Sequence, residues 1–154
     1  AMMKKKGSRY RSEKINSIIQ NKFNKPFKET ESNAWICSNK EVVKEFNENP
    51  NSNYIFTLNG YAAILGLFQE VYSKNGWRLE NPSLPIRFLS GKNDSCIISE
   101  KKFFKSVQLM VDIGYENVSH RLFEGMRHEI LNEKDNITVY KDIAKTLYSW
   151  LDRL

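Results

Sequence analysis

The sequence predicts an α/β protein: a mainly helical region followed by a two-strand parallel β-α-β-α unit. Three observations carry this reading. Two short strand segments, Ile86–Leu89 and Val118–Phe123, flank a stretch with helical spacing, and a strand–helix–strand unit this short implies a parallel crossover. Ahead of them, helix-spaced apolar residues recur in three separate segments between Ser12 and Lys74. With 154 residues and 40% apolar content, the chain is large enough for one domain with its own core.

From Ser12 to Phe23, the residues Ile15, Ile18, Ile19 and Phe23 form one helical face that stops at Asn24 and Pro26. Ser38-Asn39-Lys40-Glu41 reads as a capping box, and Val42, Val43 and Phe46 give the next helix its apolar side. Asn49-Pro50-Asn51-Ser52-Asn53 is a turn. The longest helix is expected over Thr57–Lys74. Leu58, Tyr61, Ala62, Leu65, Phe68 and Tyr72 form one stripe, with Ile64, Leu67 and Val71 on a second side, and apolar residues on two sides predict burial between layers. Gly60 and Gly66 weaken this helix slightly and leave room for a neighbour. Asn75–Ser83 is a link between two regions. Beyond the Ile86–Leu89 strand, Ser99 caps a helix that points Phe103, Phe104, Val107, Met110 and Val111 inward and ends at Gly114. The last helix carries Tyr140, Ile143, Ala144, Leu147, Trp150, Leu151 and Leu154 on one side. The boundaries are a basic tail at 1–8, a helical region at 9–80 and an α/β region at 81–154.

Composition narrows the function classes. No run approaches the roughly 18 apolar residues of a transmembrane helix, and Lys4-Lys5-Lys6 leads into no signal-peptide core. Cys37 and Cys96 are too few for a disulfide framework, which points to a reduced, cytoplasmic setting. No Cys/His cluster has zinc-ligand spacing, so neither a metal nor a cofactor is expected. The net charge of +6 is concentrated in Lys4, Lys5, Lys6, Arg9, Arg11, Lys14, Lys22, Lys25 and Lys28, against Glu13 alone. Such a block can attract nucleic acid or an anionic membrane, but no nucleic-acid-binding motif accompanies it, and a solvated N-terminus is the expectation. Ala1, ahead of Met2, reads as an addition to a natural start at Met2 or Met3.

The chemistry concentrates at two strand ends. Pro85–Asp94 (P-I-R-F-L-S-G-K-N-D) delivers a carboxylate, and Leu122–Glu133 (L-F-E-G-M-R-H-E-I-L-N-E) delivers His128 after Gly125. Acid first and base second, each at a strand tip, is the order in which one class of hydrolase presents them. The wording L-P-I-x-F-x-S-G-x-x-D, then R-H-E-I-L-N-E and a closing amphipathic helix, resembles the C-terminal half of lysophospholipases and monoacylglycerol lipases. These are serine α/β-hydrolases of the serine aminopeptidase group. G-S-R-Y-R-S, F-N-K-P-F-K-E-T, A-W-I-C-S and N-P-N-S-N-Y-I-F-T resemble that family's cap, so the likeness covers nearly the whole chain.

The resemblance implies a partial α/β-hydrolase fold, with residues 9–80 as the cap, Asp94 as the triad acid and His128 as the general base. The implied substrate is a lysophospholipid- or monoacylglycerol-like ester, and the substrate-binding residues are not assigned. G-x-S-x-G and the H-G pair of an oxyanion hole are missing, and Ser95-Cys96-Ile97 follows the acid where the family has Pro, Val and Gly. The nucleophile half is expected to precede this chain, which alone is expected to be inactive. A non-catalytic remnant, or a binding module, is the alternative. The local readings of the same residues are a turn aspartate and a carbonyl-bonding loop histidine. His120 is expected to be a packed or edge residue, and Cys96 is not expected to act as a nucleophile because it lacks an elbow pattern. An unpaired apolar strand edge at Ile86–Leu89 predicts a homodimer.

Overall fold

Two parallel strands, β1 (Ile86–Gly91) and β2 (Val118–Phe123), form the centre, paired in register from Ile86 opposite Val118 to Gly91 opposite Phe123. This computed structural model describes residues 2–28 and 31–152. Ahead of the strands come α1 (Met2–Lys6), α2 (Glu13–Asn24), α3 (Lys40–Glu48) and α4 (Leu58–Val71). Helix α5 (Glu100–Ile113) connects the strands and α6 (Asn136–Leu151) follows, with short 3-10 turns at Ser95–Ile97 and Ile130–Asn132.

Strand alternation explains how the helices pack. On one face, Phe88 and its register partner His120 meet α5: the Phe88 and Phe103 rings lie 6.4 Å apart, and His120 stacks edge-on to Phe104 at 5.1 Å. On the other face, Leu89 and Phe123 pack with Met126, Ile130, Val139 and Ile143 against α6. Burying Phe123 and Val139 contributes about 1.5–3 kcal/mol each. The same face holds an ion-pair clamp, in which Asp142 of α6 accepts from Arg87 of β1 at 2.7 Å and from Arg121 of β2 at 2.5 Å. Burial pushes the Asp142 carboxyl upward, but hydrogen bonds from Arg121 and Arg87 outweigh it and hold the group below its usual range. A second core lies under α3, where Ile36, Cys37 and Val43 pack with Trp35, Val42 and Phe46.

Local signals set most helix ends. Ser12, Thr57 and Ser99 cap α2, α4 and α5 by accepting from the N–H groups of Ile15, Gly60 and Lys102. Gly114 closes α5 at φ 119°, a left-handed position that suits glycine. The residues expected to be a solvated tail include the short helix α1.

Four expectations need correction. The cap of α3 is Asn39, which accepts from Glu41 N–H; the Ser38 hydroxyl instead donates to Glu133, a distant acceptor that outcompetes the capping box. The longest helix is α6, with 16 residues against 14 in α4. Helix α4 is not buried between layers: Leu65 is 62% exposed, Phe68 54% and Leu67 57%, because no other described element covers them. Phe104 and Val111 of α5, expected to point inward, are likewise exposed. Leu154 and Ala1 lie outside the described residues.

Candidate functional site

Beyond its last residue, β1 stays tied to the chain following β2. Lys92 N–H donates to Phe123 O and Asn93 N–H to Met126 O, both at 2.9 Å. Gly91 makes this approach possible, because a Cβ there would lie 2.5 Å from the Met126 carbonyl carbon and nearer still to the carbonyl oxygens of Met126 and Arg127. The two strand tips therefore converge.

Their convergence places His128 Nδ1 3.0 Å from Asp94 Oδ2. Asp94 is buried, whereas the His128 side chain is 45% exposed. Asp94 Oδ1 accepts from Cys96 N–H at 2.7 Å, and Ser90 Oγ donates to Oδ2 at 3.3 Å. Burial raises the Asp94 pKa, but hydrogen bonds from His128, Cys96 N–H and Ser90 prevail and hold it below its ordinary value. The hydrogen bond to Asp94 and then contact with Cys96 push the imidazole up to about 10, against the opposing effect of burial. Both directions stabilise the charged imidazole, the form that a general base reaches after it has accepted a proton. With Nδ1 turned to a carboxylate, an imidazole has Nε2 left for proton exchange, and its charged form is stabilised.

The loop bearing His128 is held by residues that sequence reasoning did not single out. Glu133, 2% exposed, accepts from Arg127 N–H at 2.7 Å, from Ser38 N–H at 3.0 Å and from the Ser38 hydroxyl. Glu129 N–H donates to Ile36 O at 2.8 Å. The Arg127 guanidinium donates to Ala34 O and Cys37 O and lies 4.0 Å from the Phe27 ring centroid. The Trp35 ring lies tilted against the imidazole at 5.2 Å and against Phe23 at 5.0 Å. Residues 34–38 thus form one wall of the site. The R-H-E-I-L-N-E wording contained Glu133, but nothing local distinguishes it from a solvated glutamate. Ser95 Oγ donates to Phe23 O at 2.7 Å, so this hydroxyl, like that of Ser90, is engaged away from the imidazole.

Both cysteines are free. Cys37 is buried, and burial raises its thiol pKa to about 11, which makes it inert. Sequence spacing offered no zinc-ligand cluster; in the fold Asp94, Cys96 and His128 come together with ligand atoms all within 4.8 Å of one another. Among the described residues, no helix is long and apolar enough to cross a membrane.

Several solved structures share the fold, among them an esterase and two lipases. The highly thermostable carboxyl esterase from Bacillus coagulans, in complex with glycerol, superposes with a TM-score of 0.79 at 15% identity, covering 98% of this chain and 49% of its own. A lipase in its open form gives 0.73 at 19% identity, covering 93% of this chain and 46% of its own. The monoacylglycerol lipase of Paleococcus ferrophilus gives 0.54 at 14% identity, covering 92% and 56%. The chain therefore spans about half the length of these proteins. No curated protein matches it in sequence. The profile of the serine aminopeptidase, S33 family matches residues 3–135, all of the helical region and both strand tips. The chain belongs to the serine aminopeptidase, S33 family and presents part of the α/β-hydrolase fold.

Proposed function

We propose that this chain is the cap and C-terminal part of a serine carboxylic-ester hydrolase acting on lysophospholipid- or monoacylglycerol-like esters, with Asp94 as the triad acid and His128 as the general base. The observation that carries it is the 3.0 Å contact between His128 Nδ1 and Asp94 Oδ2 at adjacent parallel strand tips. In this reading, a serine from a nucleophile-bearing half attacks the ester carbonyl while His128 Nε2 takes the hydroxyl proton. His128 then returns that proton to the departing alcohol. Water, deprotonated by the same nitrogen, releases the acyl group as a carboxylic acid and restores the serine. Asp94 keeps the imidazole oriented and stabilises its charged form. Residues 9–80 serve as the cap, and the exposed apolar side of α4 (Leu65, Phe68) faces the lipid-like substrate or the completing half.

The test joins this chain to a half carrying G-x-S-x-G, encoded in frame upstream or taken from a related esterase, and measures hydrolysis of a short-chain nitrophenyl ester. Hydrolysis is expected, and His128→Gln should lower it by at least about a hundredfold, the lower end of what general acid–base catalysis supplies. A joined protein that hydrolyses the ester equally well with His128→Gln would overturn the assignment.

A second reading, a dimerising module without catalysis, is favoured by the sheet itself. Among the described residues, β1 pairs on one side only, and an isolated two-strand sheet is marginal in water. Pairing of β1 across a two-fold axis should give a light-scattering mass of twice 18.1 kDa. A mass of 18.1 kDa at working concentration would count against it.

A further inference from the structure

We propose that Asp94, Cys96 and His128 form a binding site for a single zinc ion at the converging strand tips. The donors are one carboxylate oxygen, one sulfur and one ring nitrogen, all within 4.8 Å of one another. This set matches zinc, which takes Asp oxygen, Cys sulfur and His nitrogen in tetrahedral arrangement, whereas magnesium and calcium prefer oxygen alone.

The geometry is close to what coordination requires. Zinc bonds of 2.0–2.2 Å to nitrogen and oxygen place those two donors about 3.3 Å apart, and His128 Nδ1 and Asp94 Oδ2 are already 3.0 Å apart. Bringing in Cys96 Sγ needs a closure on the order of 1 Å, within the reach of its χ1 rotation. The supporting groups are in place: Cys96 N–H donates to Asp94 Oδ1, Ser90 Oγ donates to Oδ2, and the Trp35 ring packs at a tilt against the imidazole. Cys96 is half-buried and His128 exposed, so the ion has an entry path, and water completes the fourth position. Coordination would displace the proton shared by His128 and Asp94 and that of the Cys96 thiol, both released to solvent. Bound zinc and a His128 free to exchange protons would therefore exclude one another.

This inference rests on the cluster and not on ester hydrolysis, so it is tested on the 154-residue chain without an affinity tag. Zinc chloride is titrated calorimetrically at neutral pH, and cobalt(II) serves as an absorbing substitute. The expected result is one ion per chain, with proton release and a thiolate-to-cobalt charge-transfer band. Cys96→Ser should abolish the band and weaken zinc at least tenfold, His128→Gln should also weaken zinc, and Cys37→Ser should retain the band. Circular dichroism confirms that each variant is folded. Absence of saturable zinc binding, or zinc affinity unchanged in folded Cys96→Ser, would overturn the proposal.

Discussion

Gly91→Ala is expected to destabilise the chain by about 4 kcal/mol or more, the range of severe core overpacking. The added Cβ meets main chain rather than flexible side chains: the carbonyl carbon of Met126 at 2.5 Å, and the carbonyl oxygens of Met126 and Arg127 nearer still. Relief requires the β1 tip and the His128 loop to move apart. That movement breaks the 2.9 Å bond from Asn93 N–H to Met126 O and draws Asp94 away from His128. For a domain of this size, 4 kcal/mol lowers the melting temperature by on the order of 10 °C. Gly66→Ala is the contrasting change, because nothing lies within 4 Å of its added Cβ in the interior of α4. Helix propensity should make that variant more stable by roughly 0.5–1 kcal/mol. Thermal melts of both variants decide the matter, and a Gly91→Ala protein melting with the wild type would refute the close approach.

Glu133→Ala should cost about 3 kcal/mol. The buried carboxylate accepts from two backbone N–H groups, those of Ser38 and Arg127, and from the Ser38 hydroxyl, across a sequence separation of 95 residues for Ser38. A donor left buried without an acceptor costs about 1–3 kcal/mol, and here one substitution orphans several. Ser38 reaches solvent, which keeps the expected loss below a simple sum over the donors. Glu133→Gln, which retains one acceptor oxygen, should fall between the wild type and Glu133→Ala in urea denaturation. Equal midpoints for all three proteins would show that water replaces the carboxylate without loss. The effect should also appear locally, as faster hydrogen exchange at Arg127 and Glu129, whose N–H groups bond to Glu133 and to Ile36 O.

What was legible from sequence lay within a few residues of its own cause. Both strands, the cap at Ser99 and the stop at Gly114 follow from apolar period and short-range hydrogen bonding, and the structure reproduces them. Asp94 and His128 could be picked out because each ends a strand within a distinctive wording, and parallel pairing then brings the two tips together. The capping box failed because a carboxylate 95 residues away captures Ser38, a competitor that no local window contains. Burial of α4 failed for the opposite reason: an apolar stripe records a capacity to be covered, and among the described residues nothing covers Leu65, Leu67 or Phe68.

By itself, then, the sequence determined the order of the main helices and strands, several of their ends, and the placing of Asp94 and His128 just past the tips of two strands. Only the tertiary structure decided what surrounds them. It buried Glu133 beneath the His128 loop, laid Trp35 on the imidazole and drew Cys96 into the same cluster. Each of these depends on chain segments that are distant in sequence meeting in space, where close packing and the need to pair buried polar groups leave few arrangements.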